Sequence, residues 1–460
     1  MFIQQLYTNC LAEAAYYIES EGEAAVIDPI RETEPYLELA AERKSKIKYI
    51  FETHFHADFV SGHIDLSKQT GAEIIFGPMA ETKYKIHNAA DGEIFNIGKI
   101  KIKVLHTPGH TPESSCFLLY DESGKEHAVF TGDTLFVGDV GRPDLLDGKM
   151  SSQELASMLY DSLNTKLKPL ADEVIVYPAH GPGSACGKSI GKETFSSIGE
   201  QKKFNYAMRA SSRKQFIKEV TEGIAPPPMY FFEDARINKN GYDSIDQVVA
   251  RNNRELNVQQ FEEAVATGAI ILDTRKADDF EKGFVPGSIN IGLNGQYAVW
   301  VGTLIDIKKP LVLVTDLGKE HESILRLARV GYENVVGFLK EGIASWNKKL
   351  DQVKSIAASE MPAEMEKGIE VIDVRKPSEF GISHVKEAML LPLSNMPSNL
   401  EVLDKTKPYL VHCGGGYRSM TAISIMKREG FTYLKNILGG FGAIQNAGVE
   451  IVVEEELVNR

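Results

Sequence analysis

At 460 residues the chain is too long for one ordinary core, and with 43% hydrophobic and 25% charged residues it reads as soluble globular protein in two to four domains. Against 64 acidic residues stand 51 basic ones, a net charge of −13, which disfavours nucleic acid and anionic membrane as partners but not small anions in a local basic pocket. The start, MFIQQLYTNCLAEAAYYI, has neither a basic lead nor a long apolar run, so no signal peptide and no membrane span are expected. Cys10, Cys116, Cys186 and Cys413 are scattered without a CxxC pair, which suits a reduced, cytoplasmic setting.

Along the first 200 residues, apolar runs such as AAVIDP, IKYIFETH, IKIKVLHT, HAVFTGD and DEVIVYPAH predict strands. Each ends in a loop carrying His or Asp, so a site assembled along one edge of a sheet-based core is expected. SSQELASMLYDSLNTKL has helical periodicity, and Phe59–Asp65 is expected to begin a helix with His63 as a polar position on it. APPP, at Ala225–Pro228, closes a polar helical stretch and opens the connection that ends this domain near residue 250.

A repeat follows. ILDTRKADDFEKGFVPGSINIGL, from Ile271, matches VIDVRKPSEFGISHVKEAMLLPL, from Val371, at an offset of 100, with Asp273/Asp373, Arg275/Arg375, Lys276/Lys376, Phe280/Phe380, Val285/Val385 and Leu293/Leu393 identical. Each copy continues with a strand (LVLVTD or YLVHC), an amphipathic helix and a Gly-marked segment. That alternation predicts two α/β domains, at 251–355 and 356–460.

The candidate metal ligands are His54, His56, Asp58, His110, Asp133 and His180, in FETHFHADF, HTPGHTPES, FTGDTLF and YPAHGPG. A loop histidine on its own is usually structural, and His87, His106 and His127 are read so; several strand ends supplying ligand types together reverse that reading. In order and wording the four motifs resemble the metallo-β-lactamase superfamily, which implies an αββα sandwich over residues 1–250, linker included. Its dinuclear hydrolases place a histidine after the motif aspartate, where this chain has Phe59. A single ion held by His54, His110 and Asp133, with open positions opposite, is then expected, an arrangement suited to Fe(II) and O₂.

GHTPES, TGDTLFVGDVGRPDL and YPAHG resemble the persulfide dioxygenases of the superfamily. The resemblance implies one iron per chain on His54, His110 and Asp133, with His56, Asp58, His180 and Tyr177 around it. It gives Arg142 either a substrate-positioning role or a structural pairing with Asp144. GPGSACGKS, at Gly181–Ser189, fails P-loop spacing, since five residues separate Gly181 from Gly187 where the motif has four. Cys186 in that loop is either a redox thiol or a passive one.

VHCGGGYRS, from Val411, sets Cys413 at a strand end, followed by Gly414, Gly415, Gly416, Tyr417, Arg418 and Ser419 and then a helix. Successive N–H groups in such a loop form an anion nest that stabilises a thiolate. The segment resembles the rhodanese active-site loop, as VIDVRKPSEF and NILGGFGAI resemble its surroundings. By that resemblance Cys413 carries a persulfide, Arg418 and Ser419 help to hold the anion, and Asp373–Arg375 is a structural pair. The aligned middle loop, VTDLGKEHES, has Asp316 for the cysteine and His321 for the arginine, so that copy is expected to be silent.

The whole is similar to multidomain persulfide dioxygenase–rhodanese fusions of bacterial sulfide detoxification. Implied are persulfides of glutathione, coenzyme A, bacillithiol or cysteine as substrates, O₂ as co-substrate, sulfite and thiosulfate as products, and a homo-oligomer (dimer or tetramer). The alternatives are a dinuclear-zinc hydrolase of the glyoxalase II type fused to a sulfurtransferase, and a sulfur carrier or sensor with an inactive metal domain.

Overall fold

The computed structural model describes residues 1–145 and 150–453. By packing, the chain divides into two compact units, Met1–Val248 with Ala328–Tyr332, and Val249–Leu327 with the residues from Glu333. Among the described residues no helix is long and apolar enough to cross a membrane.

The first unit is built on two six-stranded sheets. One runs in order through β1 (Phe2–Thr8), β2 (Glu13–Ser20), β3 (Glu23–Ile27), β4 (Lys46–Glu52), β5 (Glu73–Phe76) and β6 (His87–Asn88). The other runs through β7 (Ile94–Ile97), β8 (Ile100–His106), β9 (Ser115–Tyr120), β10 (Glu126–Gly132), β11 (Ile175–Pro178) and β12 (Ser196–Ser197). Strand alternation decides what each side chain meets. Tyr16, Ile18, Ile27 and Phe51 pack against Ile102, Val104, Phe117 and Phe130 in a core between the sheets.

Alternate residues cover the outer faces. Tyr17, Val26 and Ile50 meet Tyr36 of α1 (Glu34–Glu42) and Leu66 of α2 (His63–Thr70). Leu118, Val129 and Val176 meet Leu159 of α3 (Ser152–Ser162), which opens on a reciprocal Ser151/Glu154 capping box. This is the αββα sandwich.

α2 corrects one expectation. It begins at His63 rather than at Phe59, and that side chain, a polar position on the helix, is fully buried, with Nδ1 3.1 Å from Glu52 Oε1 and Nε2 2.7 Å from the Tyr84 hydroxyl. Burial, with His56 nearby, pushes its ring down to about 3, so it packs as neutral imidazole.

The second unit contains both repeat copies as parallel five-stranded sheets of the same spatial order. The first has β13 (Glu255–Leu256), β14 (Ile270–Asp273), β15 (Ile289–Asn290), β16 (Leu311–Val314) and β17 (Val335–Leu339). The second has β18 (Lys354–Ile356), β19 (Glu370–Asp373), β21 (Met389–Leu390), β22 (Tyr409–His412) and β23 (Leu434–Ile437), with β20 (Ser383–Val385) and β24 (Ile451–Val453) pairing apart from it. In sheet order these are β13-β17-β16-β14-β15 and β18-β23-β22-β19-β21. The helix after the central strand is α4 (Glu320–Ala328) in one copy and α5 (Tyr417–Arg428) in the other.

The repeated Asp–Arg dipeptide forms the same buried clamp twice. Arg375 grips Asp373 through Nε (3.0 and 2.9 Å) and Nη2 (2.6 Å) and donates to Ser383 O. Arg275 grips Asp273 likewise and donates to Gly283 O. Breaking such a pair strands a buried carboxylate, so Arg375→Ala is expected to cost about 3–5 kcal/mol. Chemical denaturation monitored in the second unit measures it.

Candidate metal centre and thiol cradle

The metal motif hangs from the end of β4. Thr53 donates from N (2.7 Å) and Oγ1 (2.8 Å) to Asp28, which ends β3. With its proton committed to Asp28, Thr53 Oγ1 accepts from His54 Nδ1 at 2.9 Å, leaving the Nε2 lone pair free. His110 donates from Nδ1 to Arg142 O at 2.8 Å, and His180 from Nδ1 to Ala12 O at 3.1 Å, so those rings also present bare Nε2 atoms.

All three point at Asp133. His54 Nε2 lies 3.8 Å and His110 Nε2 3.4 Å from its Oδ2, and His180 Nε2 lies 3.5 Å from its Oδ1. Both carboxylate oxygens, with His110 Nε2 and His180 Nε2, are buried without a hydrogen-bond partner. Burying such groups is costly unless a cation pairs them, so the residues present fit a metal ion. His54, held well below its usual range by burial and by His56, His110 and His180, is neutral as a ligand must be. Gly141 allows the approach: a Cβ there would lie 2.1 Å from Asp133 O and 2.9 Å from His110 Nδ1.

His54, His110 and Asp133 form one compact ligand group, and His56, Asp58 and His180 another. The second includes His56, whose Nδ1 is buried without a hydrogen-bond partner. His56 turns its Nε2 to Asp28 (3.2 Å) and Glu52 (3.7 Å), and its ring packs 4.3 Å from that of buried Phe59. Asp58 Oδ2 lies 3.4 Å from His180 Nε2.

Three expected neighbours resolve differently. Tyr177 is not beside the metal group: its ring stacks on Phe130 at 5.3 Å and against Tyr16 in the core between the sheets. It alternates with Val176, which packs under the helices. Arg142 is buried and takes the structural reading, gripping Asp144 through Nε (2.6 Å) and Nη2 (2.8 Å) and donating to Ala185 O and Ala225 O. Cys186 is buried with its sulfur in ligand reach of Asp133 and His180, and burial, with Asp58 and Asp133, pushes its thiol well up. That environment opposes a reactive thiolate.

The supports are what sequence reasoning missed. Asn238 donates to His56 O and Phe59 O, both at 2.8 Å, and Glu113 Oε1 accepts from Phe55 N at 3.2 Å. Asp28 had a signal, since AAVIDP ends an apolar run on a carboxylate as the ligand-bearing strands do. Asn238 had none.

In the second unit, Cys413 follows β22 and is buried, with Gly416 N–H donating to its Sγ at 3.1 Å. Gly416 reaches that geometry at φ +107°, open to glycine. Ser419 Oγ lies 3.6 Å from Sγ and 2.8 Å from Asn436 Oδ1. Gly440, at φ +56°, lets NILGGFGAI close on the loop, and Phe441 N donates to Cys413 O at 2.6 Å. The Arg418 guanidinium pairs with Glu379 at 2.6 and 2.8 Å, which holds that carboxyl below its usual range. In the other copy Asp316 and His321 are exposed.

The metallo-beta-lactamase superfamily model matches residues 8–180. A solved structure described as a metallo-beta-lactamase from Staphylococcus aureus is 30% identical with a TM-score of 0.65, covering 74% of this chain and 98% of that one. The chain belongs to the metallo-beta-lactamase superfamily. The rhodanese-like domain model matches residues 257–349 and 357–447, so this superfamily member is a fusion with two rhodanese-like domains. A probable hydroxyacylglutathione hydrolase of Schizosaccharomyces pombe is 35% identical over 165 residues, 35% of this chain and 60% of that protein. The human mitochondrial persulfide dioxygenase ETHE1 is 32% identical over 160 residues, 34% of this chain and 59% of that protein. The fusion thus spans about three fifths of the length of these two relatives, and they do not share one activity.

Proposed function

We propose that the metallo-beta-lactamase domain, residues 1–250, oxidises low-molecular-weight persulfides with O₂ to sulfite at one Fe(II), and that Cys413 of the last domain, residues 356–460, transfers sulfane sulfur to sulfite to give thiosulfate. Residues 251–355 are catalytically silent. The observation that carries the reading is the ligand group His54, His110 and Asp133, beside a Phe59 that offers no lone pair.

The first reaction balances as RSSH + O₂ + H₂O → RSH + H₂SO₃, with O₂ taking up the electrons that sulfur gives. A bound Fe(II) would supply open positions for O₂ and sulfur. The chain's own part is to fix two imidazoles and one carboxylate through Thr53, Arg142 O and Gly141. For transfer, Cys413 thiolate takes the outer sulfur of a persulfide and releases RS⁻. Sulfite then attacks that sulfur, the S–S bond breaks, and its electron pair returns to Cys413 Sγ, facing the Gly416 N–H. Thiosulfate leaves.

One observation favours a dinuclear zinc hydrolase instead: Asp58, His180 and the second oxygen of Asp133 still converge, within 3.4–3.5 Å. Anaerobic metal quantification followed by O₂ uptake with glutathione, coenzyme A, bacillithiol and cysteine persulfides separates the two. One iron per chain and O₂-dependent sulfite are expected. Two zinc ions with thioester hydrolysis and no O₂ uptake would overturn the proposal. Phe59→His restores the missing donor, so metal content is expected to rise from about one towards about two per chain, measured on the same samples.

A further inference from the structure

The silent copy presses against the helix that begins at the Cys413 loop. Tyr417, the first residue of α5, donates from its hydroxyl to Gly292 O at 2.8 Å. Its ring lies on bare backbone, for a Cβ on Gly295 would stand 2.7 Å from its Cε2 and Cζ, and one on Gly292 3.5 Å from the same Cε2. The receiving loop is itself tied down: Arg326 of α4 donates to Leu293 O (2.7 Å) and Gly295 O (3.1 Å) while its guanidinium covers Tyr297.

Contacts continue along one face of α5. Ser424 Oγ accepts from Asn290 N at 2.9 Å, and Arg428 donates to Gly287 O at 3.1 Å. Positions 417, 424 and 428 recur at the seven- and four-residue steps that share a helix face. Tyr417 stands directly after Gly416, whose N–H points at Cys413 Sγ, and directly before Arg418.

We propose that Tyr417 is a positioning residue and that the silent copy, through Gly292 and Gly295, is part of the Cys413 site. Anchoring the phenol sets where α5 begins, and so where the Gly416 N–H is aimed. This rests on Cys413 being the sulfur-transfer residue, but its decisive readout does not depend on transfer.

The test uses the full-length chain with Tyr417→Phe, Gly295→Ala and the double variant. Iodoacetamide alkylation of Cys413 at pH 7 is followed by mass spectrometry of its peptide, beside sulfur transfer from thiosulfate to cyanide and O₂ uptake. Mere loosening would expose Cys413, now 1% accessible, and accelerate alkylation. Loss of the aligned N–H leaves less thiolate and slows it. Tyr417→Phe is expected to slow alkylation and transfer together by about three- to tenfold, with O₂ uptake unchanged. Gly295→Ala acts in the same direction through the second contact, since its methyl would meet the ring that Tyr417→Phe keeps, so the double variant is expected to be slower than either single one. Alkylation unchanged or faster in Tyr417→Phe would overturn the proposal. Transfer surviving in Cys413→Ser would instead overturn the role of Cys413, with the alkylation result still judging Tyr417.

Discussion

Cys413→Ser in the full-length chain is expected to abolish thiosulfate formation from a persulfide in air, by at least about a thousandfold, while O₂-dependent sulfite release continues. A serine hydroxyl fits the cradle under Gly416 N–H but cannot carry a sulfane sulfur. Sulfite should therefore accumulate where thiosulfate did, and ion chromatography of both anions reads the exchange. Persistent thiosulfate would remove Cys413 from the proposed route. Loss of both products would mean that the two chemistries are not separable.

Asp133→Asn should cut bound metal by more than about tenfold and abolish O₂ uptake with it. Asp133 faces His54 and His110 through one oxygen and His180 through the other, and an amide offers them no charge. The same substitution removes a buried carboxylate that has no hydrogen-bond partner, so the metal-free variant should be more stable than the metal-free parent. Metal analysis and thermal unfolding with and without chelator test the two signs. A variant that loses stability without metal would show that Asp133 is held by the protein rather than kept for an ion.

How much of this was legible follows from how local each feature is. The metal ligands sit at strand ends, and the Cys413 loop is contiguous, so spacing and residue type pointed to both. The Asp–Arg clamp was legible because it occurs twice. His63 was legible as a polar helix position but not as a buried one, because its partners, Glu52 and Tyr84, come from separate segments. Tyr177 was misplaced for a subtler reason. Alternation along β11 says that Val176 and Tyr177 face opposite ways, but not which way meets the metal group. Arg142 carried two readings, and only its bonds to Asp144, Ala185 O and Ala225 O chose between them. Asn238 braces a motif some 180 residues upstream, and Gly292 meets Tyr417 across 125 residues. No window of sequence contains either pair.

The twin clamps also turn the molecule into its own control experiment. One copy has Asp316 where the other has Cys413, yet keeps Asp273 gripped by Arg275, as Asp373 is gripped by Arg375. Whatever both copies retain, the clamp with Phe280/Phe380 and Val285/Val385, belongs to the requirements of folding. What only one has, the cysteine, the glycine run and the arginine after it, is what the proposed sulfur transfer uses. The chain therefore holds two copies of one framework that differ in the loop after the central strand.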